Sequence, residues 1–356
     1  MPWSWQSLAH RTFRNLSRIL LSSSVLLIAC RGAPDQSDTL LSDTPFLRNE
    51  KLQRTVNLGN ALEAPQEGDW GVTLRAEYFR LIAGQGFTAV RIPIRWNAHA
   101  DTGPPYTIAP DFFERVDWAV QQALSNGLAV IINIHHYEEL MADPAAHKDR
   151  FLALWQQIAA HYRSAPAAVI FELLNEPNGQ LTPALWNSYA AQAVAVVRES
   201  NPHRTLMIGP GNWNNVDALP ELTLPAEEGN VIVTFHYYSP FHFTHQGASW
   251  AGEESQEWLG TTWEGTPQEQ QAIQTDLEKA VIWGERHHRP VFLGEFGAYS
   301  AADMASRGRW TAYIARQAET HGISWGYWEF CAGFGLYDPQ AGEWRTPLLR
   351  ALIPPE

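Results

Sequence analysis

The chain has 356 residues, 45% of them hydrophobic and 18% charged, which excludes a disordered acidic chain and leaves ample material for a large core. Its 25 Lys and Arg stand against 38 Asp and Glu, a net charge of −13, and the folded part has no basic block, which argues against nucleic acid as a partner. The length fits one large barrel plus a tether better than two separate domains.

The first 29 residues read as a signal. Arg11, Arg14 and Arg18 precede the apolar run Ile19 to Ala29, and no acidic residue interrupts them. A cationic stretch, a short apolar stretch and a small residue form the order of an export segment, and the run is too short to span a bilayer. Leu27-Ile28-Ala29-Cys30 resembles a bacterial lipoprotein box, so Cys30 is expected to be the lipidated first residue of an exported protein, with contact to membrane only through that lipid. Losing three Arg and no acid takes the net charge from −13 to −16. Cys331 is then without an intrachain partner and reads as a small buried apolar residue. Residues 30–44 are polar and read as a tether, residues 45–356 as the folded domain.

Eight short apolar or β-branched runs follow: Thr55–Leu58, Ala89–Ile92, Ala129–Ile134, Val169–Leu173, Thr205–Ile208, Val231–Phe235, Val291–Leu293 and Ser324–Tyr327. Most are separated by helix-like stretches, among them Asp111–Ser125, Lys148–Tyr162, Pro183–Glu199, Pro267–His287 and Ala302–His321. Continuous apolar strands alternating with helices predict an α/β fold with a buried parallel sheet, and eight units in about 300 residues is the arithmetic of a (β/α)8 TIM barrel. In such a barrel the C-terminal strand ends share one basin. The polar residues cluster there: Asn60, Glu63, Arg91, His135, His136, Asn175, Glu176, His236, Tyr238, Glu295 and Trp328. The stretch from Tyr237 to Gly265 is long for a barrel connection and holds Phe241, Phe243, His245, Trp250, Trp258 and Trp263, which predicts a substrate-covering loop.

Glu176 and Glu295 each follow an apolar strand, where an unpaired charge is costly. Paired carboxylates at a barrel mouth suit glycosidic cleavage, one protonating the leaving oxygen and the other attacking the anomeric carbon or activating water. A structural ion pair between Glu295 and Arg91 is the competing interpretation. His135-His136 raises the question of a metal, yet His-Glu-x-x-His is absent and neighbouring strand residues face opposite ways, so hydrogen bonding to sugar hydroxyls is the expectation and no metal or cofactor is expected. Trp328, at the last strand end, is expected to form a stacking floor for a sugar. Glu63, His245 and Trp250 are candidates for outer subsites, or residues that fix their own loops.

The set Arg91-Ile92-Pro93, His135-His136-Tyr137, Asn175-Glu176-Pro177, His236-Tyr237-Tyr238, Gly294-Glu295-Phe296-Gly297 and Trp328-Glu329-Phe330 resembles glycoside hydrolase family 5, the cellulase family of the clan A barrels, from about Arg54 to about Leu352. Asn57–Glu63, His135–Leu140 and Phe243–Gly247 resemble its thermophilic endoglucanase branch, whose members often also cleave β-mannan. The resemblance implies a retaining double displacement with Glu176 as acid/base and Glu295 as nucleophile, Arg91 keeping Glu295 ionised, Tyr238 holding it, His236 supporting the acid/base and Asn175 meeting the sugar 2-OH. Asn175, His135, His136 and Glu329 become the candidates near that hydroxyl, and Asn60 joins the substrate-binding set. The expectation is a monomeric endo-β-1,4-glucanase acting on polysaccharide, with an endo-β-1,4-mannanase, an exo-acting β-glucosidase, a glycan-binding barrel and a metallohydrolase as alternatives.

Overall fold

The computed structural model describes residues 44–355; the expected signal segment, Cys30 and almost all of the expected tether lie outside the described residues. Eight parallel strands close into a barrel in sequence order: β1 (Arg54–Asn57), β2 (Ala89–Ile92), β3 (Ala129–Asn133), β4 (Val169–Glu172), β5 (Leu206–Ile208), β6 (Val231–His236), β7 (Val291–Phe296) and β8 (Ser324–Tyr327), with β8 pairing back onto β1. Nearly every strand residue is buried, as expected of strands covered by helices on one side and filling the barrel on the other.

The helices are α1 (Pro45–Leu52), α2 (Ala76–Gly84), α3 (Pro110–Ser125), α4 (Pro144–His161), α5 (Pro183–Ser200), α6 (Pro267–His287), α7 (Met304–Thr320) and α8 (Thr346–Leu352), accompanied by shorter helical turns. Helix α1 precedes the first strand, and its Leu52 packs among Ile131, Ile170, Met207, Ile232 and Phe292 inside the barrel. Helix α3 buries Phe112, Val116, Ala119, Val120 and Ala123, the apolar stripe that a 3.6-residue repeat presents to a sheet. Local chemistry sets the helix starts. Asp143 accepts from the Ala146 N–H and Pro144 occupies the first position, so α4 begins four residues before the expected Lys148. Thr182 and Asp303 cap α5 and α7 in the same way, and Thr266 with Glu269 forms a reciprocal capping box at α6.

Two features depart from the alternating pattern. Between β5 and β6 the chain makes short turns, including a 3-10 segment Val216–Glu221, in place of a long helix. Strand β7 runs to Phe296, three residues past the expected Leu293. It passes through Gly294, where a Cβ would meet Thr234 Oγ1 at 2.5 Å, so the close approach of β6 requires glycine. This continuation carries Glu295 on the strand itself.

Candidate active site

Arg91, at the end of β2 and fully buried, organises the base of the cleft. Its Nε and Nη2 bind both oxygens of Glu172 at 2.5 and 2.8 Å; Nη1 reaches Asn57 Oδ1 at 2.8 Å and Glu295 Oε1 at 2.6 Å; Nη2 also donates to Asn175 Oδ1 at 2.8 Å. A fixed guanidinium fork can serve four acceptor residues at once, which an ammonium cannot. The ion pair between Arg91 and Glu295 is therefore present, but as one arm of a larger network whose principal carboxylate is Glu172. Glu172, Asn57 and Asn133 were given no role from the sequence. Their signal was a polar residue inside a run otherwise apolar enough to be a buried strand, where it must have a partner.

Glu295 is held on three sides. Tyr238 Oη donates to its Oε2 at 2.9 Å, Arg91 grips Oε1, and His236 Nδ1 stands 3.6 Å from Oε2. Burial alone would raise its pKa; the charges of His236 and Arg91 and the two hydrogen bonds outweigh that and hold it below the ordinary carboxylate value. Glu176 differs. Its side chain is 26% exposed to the cleft, and its only side-chain hydrogen bond among the described residues is from His236 Nδ1 at 2.7 Å. Burial raises its pKa, the nearby Glu295 adds to this, and His236 and Arg91 only partly offset it. Oxygens of the two carboxylates and a ring nitrogen of His236 lie within 4.8 Å of one another. Glu176 also sits at a φ of +48°, a left-handed conformation that an ordinary residue adopts at a cost, as active-site residues often do.

His135 and His136 lie past the end of β3 and both border the cleft, so they do not face opposite ways as strand neighbours would; their rings are 4.6 Å apart and nearly perpendicular at 89°. Asn133 Nδ2 donates to His135 Nδ1 at 3.1 Å, and burial, aided by His136 and Arg91, holds the ring far below its usual pKa; the neutral ring then carries its proton on Nε2. Trp328 stacks on His135 at 5.6 Å and 8°. His136 meets the edge of Trp70, 40% exposed, at 5.4 Å.

A cleft of about 1510 Å³ runs over these residues, bordered by Asn60, Glu63, His135, His136, Asn175, Glu176, His236, Tyr238, His245, Trp250, Glu295 and Trp328 together with Trp70 and Trp213, which the sequence reading did not include. Trp213 is 57% exposed and stands in Gly211-Asn212-Trp213-Asn214-Asn215 after β5; an exposed Trp among polar turn residues was the available signal. Glu63 borders the cleft while its carboxylate accepts the N–H groups of Asn60 and Ala61, and burial pushes it up to about 8. His245 lies against Phe241 at 4.0 Å and against the edge of Tyr238, and burial lowers it to about 4.

Two expectations need correction. Glu329 does not border the cleft: it is fully buried, and its oxygens accept the N–H groups of Cys331 at 2.7 Å, Ala332 at 2.9 and 2.8 Å and Phe334 at 3.0 Å, which fixes the loop after β8. Next, the long loop after β6 divides its aromatics. Phe241, His245 and Trp250 face the cleft, but Phe243 and Trp263 are buried against Trp310 and Tyr313, and Trp258 stacks on His242. An aromatic residue in a long loop serves the loop's own packing as readily as a ligand.

Comparison with known proteins agrees with this architecture. The family described as "Cellulase (glycosyl hydrolase family 5)" matches residues 53–333. The structure of Thermotoga maritima Cel5A in complex with mannotriose aligns with a TM-score of 0.85 at 50% identity, covering 87% of this chain and all of that one. A hyperthermophilic endo-β-1,4-glucanase in complex with substrate aligns at 0.85 and 44% identity, covering 87% and 99% of the two chains. Endoglucanase H of Acetivibrio thermocellus is 32% identical over 317 residues, 87% of this chain, which spans 34% of that protein's length. The chain belongs to glycosyl hydrolase family 5, the cellulase family.

Proposed function

We propose that the protein is a retaining endo-β-1,4-glucanase. The observation that carries the reading is the pair Glu176 and Glu295, with oxygens within 4.8 Å across an open cleft and environments that push their protons in opposite directions. Retaining glycosidases place their carboxyls about 5–5.5 Å apart, inverting ones about 6.5–9.5 Å to admit a water between them. Glu295, ionised, attacks the anomeric carbon as the glycosidic C–O bond breaks, and the Glu176 proton passes to the departing oxygen. The Glu176 carboxylate then takes a proton from water, whose oxygen bonds to the anomeric carbon and releases Glu295. Asn175, its Oδ1 engaged by Arg91, keeps Nδ2 as a donor for the 2-OH, and His135 offers Nε2–H to a hydroxyl.

The cleft volume exceeds the roughly 300–1,000 Å³ of a drug-sized ligand site, and exposed Trp70, Trp213 and Trp250 border it, which suits several sugar units of a polysaccharide and internal cleavage. Related structures described as an endo-β-1,4-glucanase with substrate and as Cel5A with mannotriose support glucan as the main substrate with reach to glucomannan and mannan. Nuclear magnetic resonance of early products from a β-1,4-glucan tests the reading: the new reducing end should appear first as the β anomer, and an initial α anomer would exclude retention.

Export and lipidation at Cys30 complete the proposal, on the order of cationic, apolar and small residues before Leu27-Ile28-Ala29-Cys30. Among the described residues no helix is long and apolar enough to cross a membrane. A palmitate analogue fed to a bacterial host should label the wild type and not Cys30→Ala; equal labelling would reject the anchor.

A further inference from the structure

Behind the acid/base, His236 uses its second ring nitrogen. Asn214 Nδ2 lies 3.3 Å from His236 Nε2, both residues buried, while His236 Nδ1 faces Glu176 at 2.7 Å. The turn that carries Asn214 has three consecutive left-handed residues, Asn212, Trp213 and Asn214, with φ of 54°, 59° and 55°. A β-branched or bulky residue seldom takes this conformation, and three in succession imply that the surroundings determine it. They do so from both sides. Trp213 N–H donates to the carbonyl of Pro177, next to Glu176, at 3.1 Å, and Asn215 bridges to His236 on β6. Gly209 makes room for the amide, since a Cβ there would stand 2.2 Å from Asn214 Oδ1.

We propose that Asn214 is a positioning residue for the acid/base, acting through His236: it orients the ring so that Nδ1 stays aimed at Glu176 while Glu176 passes its proton out and takes one back. The inference deepens the reading of Glu176 as acid/base and rests on it. An asparagine suits the task because one end of its amide donates and the other accepts. With Nδ2 toward Nε2 it serves the neutral ring, and rotation by half a turn would let Oδ1 accept from an imidazolium. Oδ1 has no hydrogen-bond partner among the described residues, so the rotation exchanges the Nδ2 contact for one from Oδ1 and costs no bond of Oδ1 to them. The other ionisable groups that act on the ring are Glu295, Arg91 and His135; Glu295 and Glu176 raise the pKa of His236 against its burial.

The test uses aryl β-cellobiosides whose leaving groups differ in their need for a proton. Asn214→Ala should lower kcat/KM for phenyl β-cellobioside about 10-fold and for the dinitrophenyl analogue less than about 3-fold, because an activated leaving group needs little acid assistance. Its basic limb should move to higher pH, since a carboxylate that loses its aligned donor holds its proton more tightly. Asn214→Asp keeps the shape and covers the case in which the alanine variant fails to fold. A carboxylate beside Nε2 favours the imidazolium and lowers the Glu176 pKa, so its basic limb should move to lower pH. Equal losses on both substrates with unmoved limbs, or no loss at all, would overturn the inference. Glu176→Ala, run alongside, separates the two failures: if it too shows no leaving-group dependence, the acid/base assignment fails; if it alone shows it, only the role of Asn214 does.

Discussion

Removing the phenol of Tyr238 should move the acid limb of catalysis to higher pH. The Tyr238 hydroxyl donates to Glu295 Oε2 at 2.9 Å in a buried setting, and burial together with Glu295 keeps the phenol well above its usual pKa, so it remains a donor throughout the working range. A hydrogen bond to a charged partner contributes about 1.5–3 kcal/mol. At about 1.4 kcal/mol per pKa unit, its complete loss corresponds to about 1–2 units. Arg91 remains on Oε1 at 2.6 Å and His236 stays 3.6 Å from Oε2, which places the expected shift for Tyr238→Phe near the lower end, about one unit. The sign follows from the nucleophile's need for charge: with its donor gone Glu295 is harder to ionise, and activity falls away at a higher pH than in the wild type. kcat/KM on a soluble β-glucan from pH 3 to 9 gives the readout, with the basic limb, assigned to Glu176 in the proposed mechanism, as internal reference. An acid limb that stays within about 0.2 units, or moves lower, would refute the assignment of Glu295 as the group that must be ionised.

Other perturbations follow from the same network. Arg91→Ala leaves two carboxylates, Glu172 and Glu295, buried without their cation, a loss of about 3–5 kcal/mol that should lower the calorimetric Tm by about 10 °C; Arg91→Lys should recover little of it, and a Tm within about 3 °C of wild type for Arg91→Ala would contradict the network. Glu63, pushed up to about 8 by burial, contributes stability that is complete below the unfolded value of about 4.3 and lost as pH rises through 8; Glu63→Gln should therefore flatten the decline of Tm between pH 6 and 9, and a parallel decline in both proteins would show that Glu63 is not the source.

Much of the fold was legible because parallel strands are apolar throughout and their limits are set by turn and cap residues. Seven of the eight runs match the strands to within one residue at each end; β7 alone runs three residues longer, through a glycine that the close approach of β6 demands. That Glu176 and Glu295 would come together could be read because a barrel gathers its strand ends. What escaped depends on facing partners. Glu172 and Asn133 sit inside runs that read as uniform strand, and it is the side chain of Arg91, reaching across from β2, with Asn133 beside it, that gives Glu172 its place. Trp70 and Trp213 lie in connections whose path is decided by tertiary packing. Glu329 was misplaced because its neighbour Trp328 faces the cleft, while its own carboxylate turns to the backbone of the next loop.

The division of labour between the two carboxylates is tested most directly by trapping the covalent intermediate. A 2-deoxy-2-fluoro-β-cellobioside with an activated leaving group slows both steps, the second more than the first, so the glycosyl-enzyme accumulates and can be digested and weighed. The mass increase should fall on the peptide that contains Val291–Phe296 and localise to Glu295, with Glu176→Ala labelled at the same residue. A sugar attached to Glu176, or inactivation with no covalent adduct, would contradict the assignment of Glu295 as nucleophile.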